Sequence, residues 1–81
     1  MGTKDREIQV KATWDPEACV WVATSEDVPG LVTEAETSEA LIHKLRVLIP
    51  ELLELNGLLP NLGHDGIPFH LLSERTETIA I

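Results

Sequence analysis

The chain carries very little with which to do covalent chemistry. It has one cysteine, Cys19, in 81 residues, so an intrachain disulfide is excluded. That usage fits a reducing cytoplasm. There is no tyrosine, and the aromatic residues are Trp14, Trp21 and Phe69 alone. The core must therefore be filled mainly by Leu, Val, Ile and Ala. Basic residues are also scarce, six against fourteen acidic ones, for a net charge of -8. Such a surface repels phosphate backbones and argues against direct nucleic-acid binding. It favours a basic protein partner through steering and complementarity, beside the plainer effect of keeping a small protein in solution. No apolar run is long enough to span a bilayer, and MGTKDREIQV lacks the apolar segment of a secretory signal. Arg6 stands where N-myristoylation requires Ser or Thr. A cytoplasmic protein without membrane attachment is expected.

Hydrophobic residues make up 43% of the chain and charged residues 25%, a balance that belongs to a globular domain. One domain is expected over 1–81, with a core at about 7–57 and a C-terminal strand or arm at 67–81. A chain this short builds a thin core, and many such domains gain stability by self-association.

From Glu7 to Trp14 polar and apolar residues alternate: Ile8, Val10, Ala12 and Trp14 share one face. This predicts a half-buried strand. Asp15-Pro16-Glu17-Ala18 reads as a turn, and CVWVATS as a second strand in an antiparallel hairpin. Val28-Pro29-Gly30 turns the chain again, with Gly30 supplying positive φ, before a short strand from Leu31 to Ala35. Thr37 suits a helix N-cap, its hydroxyl oxygen accepting from the N–H of Glu39 or Ala40, and Gly57 suits the C-terminal αL position. Between them Leu41, Leu45, Leu48, Leu52 and Leu55 recur at steps of four and three, a stripe expected to face the sheet. Pro50 predicts a kink or break between Arg46 and Pro50. A second apolar set, Ile42, Val47, Ile49 and Leu53, exceeds what one small sheet covers. This flank is expected to pack partly on the C-terminal segment and partly on another subunit; Ile42, Ile49 and Leu53 are assigned to the subunit contact, together with Ile79 and Ile81 of an apolar C-terminus expected to dock. Residues from Leu58 to Pro68 read as a loop, and Phe69 to Ser73 as a strand for a sheet edge.

The fold class expected is α+β: an antiparallel sheet of three to four strands packed on one main helix, in the order β-β-β-α-β. The same parts, Trp14-Asp15 with Ala18 to Ala23, Asp27-Val28-Pro29-Gly30-Leu31-Val32-Thr33, and Glu36-Thr37 with Glu39-Ala40-Leu41, resemble the HicB-like antitoxin domain. The likeness spans about Ile8 to Leu55. It is nearest to a small single-domain branch with the helix motif from Leu48 to Gly57. The resemblance implies a partial RNase H-like fold. It also implies that the chain neutralises HicA, a small basic RNA-cleaving toxin. Beyond Gly57 there is no helix-turn-helix or ribbon-helix-helix pattern and no basic cluster, so the family's DNA-binding role is not carried over.

Candidate chemistry is thin. The acidic residues fall in turns, links and the outer helix face, so no mid-strand carboxylate cluster for two-metal catalysis is expected. His43, His64 and His70 are dispersed, with no His-x₃-His or Cys-x₂-Cys spacing, and no metal or cofactor is implied. Cys19, opening a strand with no base beside it, reads as a small buried hydrophobe. Trp14 and Trp21 meet only if the hairpin register places them on one face, and at least one is expected to anchor the core. The reading is a non-enzymatic binding domain. Asp15, Glu17, Glu26, Asp27, Glu34 and Glu36 form its partner surface, and a homodimer or higher oligomer its assembly. The alternative is a stand-alone homo-oligomeric domain with a scaffolding or ligand-binding role.

Overall fold

A computed structural model describes residues 7–58 and 66–81 of the chain. The expected loop positions 59–65, His64 among them, lie outside the described residues. The elements run β1 (Ile8–Asp15), β2 (Val20–Thr24), β3 (Val32–Ala35), α1 (Ser38–Leu55) and β4 (Phe69–Glu74). This is the expected α+β class, one helix on a four-stranded sheet of order β3-β2-β1-β4. β1 with β2 and β2 with β3 pair antiparallel, as short connections require. The fourth strand departs from the wholly antiparallel expectation. β4 lies parallel to β1, with Phe69 opposite Ile8, so the sheet is mixed. The reason is the return path. α1 runs back along β3 until Leu52 meets Gly30 at the start of that strand, so β4 enters beside the start of β1 and runs with it.

Alternation in β1 buries Ile8, Val10 and Ala12 and exposes Gln9, Lys11 and Thr13. The hairpin register pairs Ala12 with Ala23 and Trp14 with Trp21. The two indoles therefore share the inner face, edge to face with centroids 5.3 Å apart. Trp21 packs on the core, while Trp14 is covered by the Arg75 guanidinium 4.1 Å from its ring centre.

The helix is turned relative to the expected stripe. Its buried residues are Leu41, Leu45, Ile49 and Leu53, each four apart, while Leu48 and Leu52 flank the core half-buried and Leu55 is 82% exposed. Steps of four follow a row inclined to the helix axis. Steps of four and three keep parallel to it. Ile49 and Leu53, assigned above to a subunit contact, are thus core residues of the subunit itself. Ile42 is half-buried and Val47 exposed. Nor does Pro50 break the helix: α1 is continuous from Ser38 to Leu55. Proline removes one backbone donor, but Arg46 faces solvent, where water serves the carbonyl that lost its partner. Thr37 caps the start by accepting from the Ala40 N–H at 3.0 Å. At the other end the Leu58 N–H donates to the Leu53 carbonyl and the Gly57 N–H to that of Glu54, with Gly57 at φ 71°. This is a Schellman closure, which needs the left-handed residue that glycine supplies.

The Pro29-Gly30 turn closes as read from the sequence, with the Leu31 N–H donating to the Val28 carbonyl at 3.1 Å and Gly30 at φ 85°. Both ends of the turn, Val28 and Leu31, are buried, so it plugs one end of the core. The hairpin turn differs from expectation at Cys19. That residue is exposed, sits in the turn rather than the strand, and takes φ 58°. Its N–H donates to the Asp15 carbonyl at 2.7 Å, and Asp15 Oδ1 accepts from the N–H groups of Glu17 and Ala18. A left-handed L-residue costs about 1 kcal/mol or more. Cys19→Gly is expected to raise stability by about 1 kcal/mol, less what glycine adds to the unfolded chain's entropy. Urea denaturation measures the gain, and no gain would mean the cysteine is unstrained.

Candidate functional site

The six carboxylates singled out in the sequence do not converge. Asp27 Oδ2 accepts from the Gln9 N–H at 2.8 Å, and Gln9 lies six residues before Asp15 along β1, about 20 Å at the rise of a strand. Glu26 and Asp27 therefore stand at one end of the sheet and Asp15 and Glu17 at the other. Asp27 is also structurally occupied. Past Thr24 the β2 backbone leaves β1, and side chains take over its hydrogen bonds. Ser25 Oγ donates to the Gln9 carbonyl at 2.5 Å and accepts from the Asp27 N–H at 3.0 Å. Asp15 is likewise committed to its own turn.

At the hairpin end the acidic residues do gather. Asp15 lies opposite Val20, and Val20 lines a shallow depression of about 430 Å³ with Glu34, Glu36, Thr37, Ala40 and Lys44. Glu39 stands in the first turn of α1 beside it. Two cations lie nearby, and both are engaged. Lys44 Nζ donates to the Glu34 carbonyl at 2.6 Å, and Arg75 covers Trp14 while pairing with Glu77. Sequence reasoning did not single out Lys44 or Arg75. The Glu34 carbonyl lies ten residues from Lys44 and Trp14 sixty-one from Arg75, so neither contact leaves a local signal.

A second depression, of about 340 Å³, opens on the outer sheet face between Gln9, Lys11, Thr24, Ser25, Asp27 and Leu72. Neither depression is lined by histidine or cysteine. His43 and His70 are exposed on separate elements. Among the described residues no three His, Cys, Asp or Glu side chains come close enough together to hold a metal ion. Among the same residues no helix is long and apolar enough to cross a membrane.

The C-terminal isoleucines are not docked within their own subunit. From Leu72 onward every residue is exposed, with Ile79 at 84% and Ile81 fully open. Among the described residues β4 pairs with β1 alone.

No curated protein matches the chain. The fold is similar to the crystal structure of a hypothetical protein, TTHA1013, from the extremely thermophilic bacterium Thermus thermophilus. The two are 49% identical, with 94% of this chain and 100% of the other covered and a TM-score of 0.68. The model of a family described as a domain of unknown function, DUF1902, matches residues 7–81, and the chain belongs to that family.

Proposed function

We propose that the chain is a non-enzymatic, HicB-like protein-binding domain that neutralises a small basic RNA-cleaving toxin of the HicA type. The observation that carries the reading is the acidic gathering at the hairpin end, where Glu34 and Glu36 line a shallow, open surface, with Asp15 and Glu17 in the adjoining turn and Glu39 in the first turn of α1. Arg75 is paired with Glu77, and Lys44, held at the Glu34 carbonyl, offsets one charge, so the five carboxylates leave the surface net negative. A basic RNA-binding face presents the complementary field, and covering it blocks the RNA. The element order β-β-β-α-β agrees with the resemblance in Asp27 to Thr33 and Glu36 to Leu41. Glu26 and Asp27, at the far end, belong to a different contact or to none.

The test pairs this chain with any small basic protein encoded beside its gene. Co-purification is expected, with affinity falling as salt rises. Replacing Glu17, Glu34 and Glu36 together by glutamine is expected to raise Kd about 10-fold or more, mainly through slower association. A control carrying Glu51→Gln and Glu54→Gln on the other end of α1 is expected to change Kd less than about 3-fold. Equal weakening in both would show that net charge alone matters, and no binding to any basic neighbour would end the toxin reading.

A further inference from the structure

We infer that two copies of this chain pair through their C-terminal strands, residues 69–81 of one running antiparallel to residues 69–81 of the other, about a two-fold axis at Arg75. Three features of the chain lead there. First, β4 is the sheet's open edge: β1 is its sole partner among the described residues. The opposite edge, β3, is only four residues long, and Lys44 donates to its Glu34 carbonyl. Short length and a lysine are ways to close an edge to strand addition. β4 has neither protection.

Second, the strand alternation continues past β4. The Ile8 N–H donates to the Pro68 carbonyl at 3.0 Å, which turns the peptide groups of even residues toward β1. In an extended strand those of Phe69, Leu71 and Ser73 then point outward, free for another strand. The side chains of Phe69 and Leu71 lie on the inner face, and Arg75 keeps that face by covering Trp14. Carried on as a strand, the same parity places Glu77, Ile79 and Ile81 there too. The composition Thr-Glu-Thr-Ile-Ala-Ile suits a strand.

Third, the inner face beside β4 is short of cover. α1 packs over β3 and β2 and leaves Phe69 and Leu71 half-exposed. Centring the pair on Arg75 sets Ile79 opposite Leu71 and Ile81 opposite Phe69 of the second copy. It sets Glu77 opposite Ser73 and diagonal to the other Arg75, so each arginine keeps an acidic partner. Exposed apolar ends meet half-covered apolar residues, and the odd-numbered peptide groups complete roughly a dozen backbone hydrogen bonds. The contact is self-complementary, as a two-fold requires, and joins two sheets into one. It uses none of the carboxylates assigned to the toxin face, so the two proposals fail separately.

The test uses the full chain. Sedimentation at micromolar concentration is expected to give a dimer, and Ile79→Asp with Ile81→Asp is expected to raise its dissociation constant at least about 100-fold. Circular dichroism of the variant should be unchanged, since these side chains are exposed in their own subunit. In a Cys19→Ser background, Arg75→Cys is expected to form a disulfide-linked dimer on mild oxidation, because the two copies of position 75 face each other. Ser73→Cys or Glu77→Cys alone is expected to stay unlinked, and the two mixed together to link. A monomeric wild type, or a dimer indifferent to the aspartates, would overturn the pairing, and linkage at position 73 alone would overturn its register.

Discussion

Leu45→Ala is expected to destabilise the domain by about 3 kcal/mol, whereas Leu55→Ala is expected to cost less than about 0.5 kcal/mol. Leu45 is 0% exposed, in the middle of the helix row that meets the sheet, and Leu55 is 82% exposed. Removing the Leu45 side chain forfeits its transfer from water and leaves a cavity that neighbours fill only in part. Against a total of roughly 4–12 kcal/mol for a domain of this length, that is a large fraction. Urea midpoints for the two variants decide the matter. If both leucines lay on the sheet-facing stripe, as a four-three count suggests, their losses would be alike, and equal losses would refute the observed rotation of α1.

Ala23→Leu is expected to cost about 2–3 kcal/mol through overpacking. Ala23 and Ala12 stand directly opposite each other on the inner face, both at 0% exposure, in the same buried cluster as Leu45. Three further carbons at position 23 have no room unless the helix or the neighbouring strand shifts. Thermal unfolding should show the loss, and the paired variant Ala23→Leu with Leu45→Ala should recover part of it, because the cavity of one receives the bulk of the other. Additive losses would mean that the two sites do not share space.

Local signals carry most of the framework. Alternation from Ile8 to Trp14 marks β1, Thr37 marks the start of α1 and Gly57 its end. Asp27 to Gly30 marks a turn whose hydrogen bond and positive φ are as the residue types require. Each of these depends on neighbours within a few residues. The errors share the opposite character. Cys19 reads as strand because Cys-Val-Trp-Val has strand composition. The four-residue loop in which Asp15 pairs with Val20 instead forces Cys19 to a left-handed backbone. Ile49 and Leu53 read as surface because two apolar stripes adjoin on α1. The choice between them depends on the angle at which the helix crosses the sheet. Asp27 reads as a free carboxylate, yet it serves the Gln9 N–H across eighteen residues.

The candidate site divides the same way. Acidity is legible from the composition, as is the poverty of chemistry-bearing residues. Which carboxylates stand together is not, since Asp15 and Glu36 approach only through the register of β1, β2 and β3. Nor is the use made of Lys44 and Arg75, whose partners are fixed by tertiary packing.

What the chain's order of residues determined alone was the set of elements, their caps and turns, and the sign of the surface charge, because each follows from local backbone preference or simple summation. The tertiary structure decided the parallel fourth strand, the face of the helix that is buried, the meeting of Trp14 with Trp21, and the open edge at β4. Those depend on register and crossing angle, which arise when distant segments compete for the same apolar surface and leave no trace in any short window of sequence.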